Sequence, residues 1–423
     1  MNTDVAIIGG GIVGCATAYN LARAGLAVTL IERGAIAGEQ SSRAWGFVRQ
    51  QGRHEAEIGL AALASEMWET LGRELQADLE FVRGGILVPA ETDDDMARFE
   101  HSATLGARAG LSTRMLTPGE LAAQMPELAG RWKGALYTAE DAHAEPRKTT
   151  EAFAHAAERL GARLLPNTVV TGIETTAGAA TAVLTRTGAI KAGAVLCATG
   201  IGTSALLRPL GIDLPIQPVR TAVCETEEIR HFTRTAVWGP DASFRPTQHG
   251  TFYIGTGYRH TGTSCDISLD TLRHIKAFWP TYRANRRLVQ PRFGRESALQ
   301  IARSLSAHRF DPLPEPLVDQ ALTARIKAAF TTMLPGLSNL GIRRAWAGRI
   351  DMTPDVIPII GAAAEIRNLY VAAGFSGHGF ALGPATGRLL AELIRTGRPS
   401  LDLSPFRLSR FAEGAARYQP HAL

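Results

Sequence analysis

The chain holds only four cysteines in 423 residues, Cys15, Cys197, Cys224 and Cys265, and they are scattered. With no Cys-x-x-Cys pair and no Cys/His cluster, a structural metal site has no support and a reduced compartment is implied. No run approaches eighteen apolar residues, so no segment reads as membrane-spanning. Neither charge sign dominates: 45 Lys and Arg against 40 Asp and Glu leave a net +5, too little to imply nucleic-acid binding. Internal repeats and low-complexity tracts are missing as well. The apolar N-terminus lacks the basic start of a secretory signal, carries Asp4 and is consumed by a glycine turn. What remains is an ordinary globular composition, 45% apolar and 20% charged, long enough for two substantial domains or one composite one.

The most informative stretch is residues 4–32. An apolar strand over 4–8 enters Gly9-x-Gly11-x-x-Gly14, a helical pattern runs from Gly14 to Ala24, and Ala27–Ile31 reads as a second buried strand ending at Glu32. Gly9 allows the tight turn, Gly11 lets a pyrophosphate approach the backbone, and Gly14 lets the helix pack on the strand. Helix N-H groups and the positive dipole end then face phosphates, and Glu32 is placed for a ribose diol. The alternative, a merely structural turn, explains fewer of these residues.

The segment 33–57 has no clear periodicity and is rich in Ser, Gly, Arg and Trp, which suits a ligand-handling loop; a solvated surface loop is the alternative. Helical spacing returns over 58–75, 94–110, 118–125, 146–160, 268–282 and 316–333, and Thr117-Pro118-Gly119-Glu120 is a capping box. Residues 164–198 alternate like short strands, ending at Ala198-Thr199-Gly200, where a backbone can approach a cofactor. After Pro215 the texture turns toward β. Seven arginines from Arg283 to Arg309 have only Glu296 and Asp311 as nearby acids. A solvated basic face is the plain reading; an acidic partner, an anionic membrane surface or a charged substrate are the others. Near the end, Leu369–Gly374 reads as a strand, Phe375–Phe380 as a glycine turn and Gly387–Ile394 as a helix.

Taken together, Gly9–Gly14 with Glu32, Ala198-Thr199-Gly200, Trp346-Ala347-Gly348, Thr353-Pro354-Asp355 and Gly374-Phe375-Ser376-Gly377-His378-Gly379-Phe380 resemble the FAD-dependent oxidoreductases of the D-amino-acid oxidase, glycine oxidase and sarcosine oxidase group over essentially the whole length. The resemblance implies an α/β composite: a discontinuous Rossmann-like FAD-binding domain (1–80, 142–215, 340–423) and a β-sheet-based substrate domain (81–141, 216–339). It implies cofactor contacts at Gly9, Gly11, Ile12, Val13, Gly14, Glu32, Arg33, Ser41, Ser42, Trp45, Gly46, Val169, Ala198, Thr199, Gly200, Arg349, Gly374, Gly377, His378, Gly379 and Phe380. The helix after the late turn would stabilise reduced flavin through its dipole, with His378 as an added donor or, alternatively, a turn histidine in solvent. Some members attach FAD through a Cys or His at positions held here by Gly348 and Arg43, so non-covalent FAD is implied.

The implied chemistry is hydride transfer from a carbon bearing an amine, giving an imine that water hydrolyses. An Arg holds the substrate carboxylate in such enzymes, and Arg49, Arg245 and Arg349 are the candidates. Tyr253, Tyr258 and His249 are possible pocket residues, with core packing as the alternative for each. This chain departs from the glycine oxidase pattern at Ile350 and from the sarcosine oxidase pattern at Ala381. The substrate is therefore a D-amino acid, an N-alkyl amino acid, a cyclic imino acid or an opine. The alternatives are 2-hydroxy acid oxidation and a flavin subunit of a multi-subunit dehydrogenase; NAD(P)H-linked monooxygenation lacks its late Gly-Asp-Ala signature. The resemblance leaves O2, a quinone or another acceptor open, and a homo-oligomer or a complex equally so. A cytoplasmic location, with peripheral attachment to the inner face of a membrane as a variant, completes the expectation.

Overall fold

The computed structural model describes residues 2–230, 232–259 and 263–416. Its first sheet is built from near-continuous apolar strands that alternate with helices, the pattern of a parallel sheet covered on both faces. Leu369–Ala373, Gly188–Cys197, Asn2–Ile8, Val28–Ile31 and Arg163–Leu165 lie side by side in that order, all parallel. Ile359–Ala362 adds an antiparallel edge, and the hairpin Val170–Thr176/Ala179–Thr185 extends from Gly188–Cys197.

Helices Ile12–Arg23, Glu55–Leu75, Pro146–Arg159 and Gly379–Thr396 bury one face in a core centred on Ile7, Leu30, Trp68, Phe153 and Leu389. The last of these begins eight residues before the predicted start at Gly387. Gly383, Pro384 and Gly387 argue against helix locally, but the two glycines face the first helix at close range. A Cβ on Gly383 would lie 2.9 Å from Ile12 and one on Gly387 2.5 Å from that of Ala16. Packing outweighs propensity there.

The second sheet contains Ile86–Ala90, Arg114–Leu116, Gly134–Thr138 and the strands from Gln217 to Met352, matching the predicted β texture after Pro215. Its membership departs from the predicted division at one place. Ile342–Met352, assigned from sequence to the nucleotide domain, pairs along its length with Gln217–Thr226, from Gln217↔Met352 to Thr226↔Ile342. That strand belongs to the second sheet and carries Gly348–Asp351 to the junction between the two. Other elements shift less. The capping box at Thr117 forms as predicted, the helix predicted from 316 starts at Gln320 under an Asp319 cap, and Arg295–Ser304 is a helix that periodicity did not reveal. No helix among the described residues is long and apolar enough to cross a membrane.

Candidate active site

A cavity of ≈ 390 Å³ lies where the glycine turn, the 38–53 loop, the Ala198–Gly202 turn, Gly348–Asp351 and the late turn converge. It is within the size range of ligand sites.

At one end the first glycine turn behaves as its spacing requires. Gly9 has φ 115°, and a Cβ there would sit 2.3 Å from the Ala198 carbonyl oxygen. Gly14 lets the helix close on the turn, since its Cβ would come within 2.0 Å of the Gly9 oxygen. The Ile12 N-H donates to Ser41 Oγ at 2.9 Å, tying the irregular loop to the helix N-terminus. Glu32 accepts from the Gly10 and Gly34 N-H groups at 2.7 and 2.8 Å, which fixes a carboxylate at the end of the second strand.

At the other end Gly374, Ser376 and Gly377 all have positive φ, 68°, 53° and 89°. Strain at the non-glycine Ser376 is held by its N-H donating to the Asp351 carbonyl at 3.0 Å, while Asp351 Oδ2 accepts from the Gly374 N-H at 2.7 Å. Burial pushes the Asp351 carboxyl up to about 6 against those hydrogen bonds. His378 follows as the N-cap of the long helix, buried rather than in solvent. Its Nδ1 lies 2.9 Å from Glu57 Oε1, and burial lowers its pKa to about 4 although Glu57 pulls it upward. The ring is neutral at neutral pH.

The three candidate arginines separate. Arg49 lines the cavity, its guanidinium 4.2 Å from the Trp238 ring centroid and donating to the Gln51 carbonyl at 2.9 Å. Arg53, four residues on, also lines it; it donates to the Arg49 carbonyl at 3.3 and 3.2 Å, and its Nη1 is buried with no partner. Burial lowers both guanidinium pKa values, and Arg53 lowers that of Arg49 further. Among the described residues neither pairs with a carboxylate. The nearby Asp141 carboxyl accepts from the Gln50 N-H at 2.7 Å and is raised by burial to about 7.

Arg245, by contrast, is fully buried away from the cavity, paired with Glu145 at 2.9 Å and stacked on Tyr253 at 4.4 Å. Arg349 reaches the cavity, but its charge is met by Glu296 at 3.0 Å and a further donor by the Pro314 carbonyl at 3.0 Å. Tyr253 accepts from Arg344 at 3.1 Å and Tyr258 donates to the Pro89 carbonyl at 2.8 Å; neither lines the cavity. His249 is exposed beside Glu80.

Among the expected cofactor residues, Gly9, Gly11, Ile12, Val13, Glu32, Arg33, Ser41, Trp45, Gly46, Ala198, Thr199, Gly200, Gly377, Gly379 and Phe380 line the cavity. Gly14, Ser42, Val169 and Gly374 do not: Gly14 faces the turn, Gly374 packs on Thr353, and Thr168 and Val170 take the place of Val169. Sequence reasoning passed over Arg53, Trp238, Glu57 and Asp141. The i, i+4 spacing from Arg49 inside an already suspect loop was a usable signal for Arg53. Nothing local links Glu57 to His378, 321 residues away.

Comparison with known proteins gives the same direction. The family profile described as FAD dependent oxidoreductase matches residues 4–393. The chain is 28% identical to a glycine oxidase of Bacillus licheniformis, covering 92% of each chain. It is 27% identical to a sarcosine oxidase subunit beta of Arthrobacter sp, covering 97% of this chain and 91% of that one. Among solved structures, the L-proline dehydrogenase from P. horikoshii superposes with a TM-score of 0.82 at 28% identity, over 99% of both chains.

Proposed function

From the premise that the chain belongs to this family of FAD-dependent oxidoreductases, we propose that it oxidises the C-N bond of a carboxylate-bearing amine: an amino acid, an N-alkyl amino acid, a cyclic imino acid or an opine. The residues fit the cofactor. Glu32 and the Gly11–Val13 helix N-terminus suit the ribose and pyrophosphate, and the strained Gly374–Gly379 turn with its helix dipole suits the ring system. When bound, FAD supplies a two-electron acceptor for the substrate hydride.

One observation carries the substrate reading: two buried guanidinium groups, Arg49 and Arg53, share a cavity and neither makes a direct ion pair among the described residues, although the Glu57 and Asp141 carboxyls act on both from nearby. A buried guanidinium without a direct ion-pair partner carries a desolvation penalty. An anionic group entering the cavity removes it, and a planar carboxylate matches the guanidinium fork. Trp238, under the face of Arg49, restricts where that guanidinium sits. Arg245 and Arg349 are less suited, since each already has its acid.

The neutral His378 adds no third positive charge, so the substrate ammonium is not repelled. Its Nδ1 is held by Glu57, which fixes the ring at the cavity wall. Anaerobic flavin bleaching against D- and L-amino acids, N-methyl amino acids, cyclic imino acids, opines and 2-hydroxy acids tests this. Reduction by amine substrates supports the proposal; reduction confined to 2-hydroxy acids overturns it.

A further inference from the structure

Of nine large apolar side chains exposed among the described residues, eight fall within residues 269–317. The same excursion from the second sheet contains helix Ile275–Asn285, which buries none of its residues. Helices in folded proteins owe most of their stability to packing an apolar face, and this one leaves much of its apolar surface turned outward. Leu272, on the preceding helix Leu269–Arg273, and Ile275 and Trp279 on this one are 59%, 51% and 55% exposed and spaced three and four residues apart, and Tyr282 touches Trp279 at 5.9 Å between ring centroids.

The charge around this face has one sign. Residues 271–295 contain seven cations, Arg273, Lys276, Arg283, Arg286, Arg287, Arg292 and Arg295, and not one Asp or Glu. Arg273 and Arg292 reach Asp213 and Asp319 at 3.8 and 3.0 Å. The other five are exposed and form no ion pair among the described residues.

We propose that this excursion docks the protein on an anionic phospholipid surface, with the Leu272/Ile275/Trp279 face entering the headgroup boundary and the cations on lipid phosphates. Exposed Leu, Ile and Trp beside unpaired Arg and Lys is the composition of an interfacial helix. Nucleic acid would use the cations and leave the apolar face in water. A protein occupying this face would have to meet five exposed cations without ion-pair partners with acids of its own. The excursion also reaches the active site: Thr281 Oγ donates to the Pro354 carbonyl, and Arg309 and Phe310 line the cavity. Docking would therefore fix the cavity relative to the bilayer.

The test is flotation of the flavin-loaded, full-length protein with vesicles of phosphatidylcholine alone and of an equimolar phosphatidylcholine/phosphatidylglycerol mixture. Binding is expected only to the mixture, and to weaken with added salt. Replacing Arg283, Arg286 and Arg287 by Gln should lower partitioning roughly 100-fold, from about 1 kcal/mol per cation near an anionic surface. Ile275→Ser with Trp279→Ser should abolish it, with flavin content and turnover in solution unchanged. Three results each overturn the proposal: no flotation of the wild type, undiminished flotation of the serine variant, or an acidic protein partner that occupies the face in place of vesicles.

Discussion

Replacing Arg49 with Ala separates a substrate clamp from a structural arginine, because the two roles move stability and catalysis differently. The guanidinium is buried, faces Arg53 and makes no direct ion pair, so its removal relieves a desolvation penalty of several kcal/mol and a like-charge repulsion, while giving up the attraction of Asp141 and Glu57. Against that stand the contact with Trp238, about 2 kcal/mol when desolvated, and the hydrogen bond to the Gln51 carbonyl, about 1.5–3 kcal/mol. These nearly offset one another, and the melting temperature of the variant should stay within a few degrees of wild type. Substrate affinity has no such offset. Truncating one side of a buried charge pair costs about 2–5 kcal/mol, roughly 30- to 4000-fold in kcat/KM for a carboxylate substrate. Stopped-flow flavin reduction and thermal melts on the same preparations read both quantities. A kcat/KM within about threefold of wild type, a change worth under 1 kcal/mol, refutes the clamp. So does a large fall in melting temperature alongside the loss of activity. Arg245→Ala should show the reverse pattern: breaking the buried pair with Glu145 destabilises by about 3–5 kcal/mol, while the folded fraction turns over normally.

Arg53→Ala should likewise raise KM for carboxylate substrates, and a variant lacking both arginines should lose discrimination between an amino acid and the corresponding amine, measured by flavin reduction. Burial raises Asp141 to about 7, so the fold favours its protonated form. That contribution to stability is fully present below the unfolded pKa near 4 and is lost as pH rises toward 7. Asp141→Asn should thus gain stability relative to wild type between pH 5 and 8 in denaturant titrations, about the range that shift spans; parallel curves would reject this. His378, lowered to about 4, has the opposite sign and favours the fold as pH rises from about 4 to 6.5. None of the four cysteines lines the cavity, and acid precipitation should release all flavin to the supernatant; a yellow pellet would show a covalent bond. Gly14→Ala should prevent soluble holoprotein, since its Cβ would meet the Gly9 oxygen at 2.0 Å. Gly11→Ala meets only Ser41 Oγ at 3.2 Å and should fold yet retain flavin weakly, by absorbance ratio.

The nucleotide end of this protein was legible because it is local. Gly9, Gly11, Gly14 and Glu32 sit in one continuous strand-turn-helix-strand, and backbone sterics together with a helix N-terminus leave few other uses for that spacing. The late Gly374–Phe380 turn was legible for the same reason. The start of its helix was not, because Gly383 and Gly387 disfavour helix until the Ile12–Arg23 helix packs against them. The arginines show the limit most clearly. From sequence Arg49, Arg245 and Arg349 were equivalent; each differs only in which acid the fold brings to it. Glu145 lies 100 residues from Arg245, Glu296 lies 53 from Arg349, and no carboxylate among the described residues pairs with Arg49 or Arg53. Glu57 and His378 meet across 321 residues. Sequence by itself determined the cofactor cradle, whose chemistry is written in neighbouring residues. Only the tertiary structure decided which buried charges have a direct ion-pair partner and which do not, because charge compensation depends on distance in space.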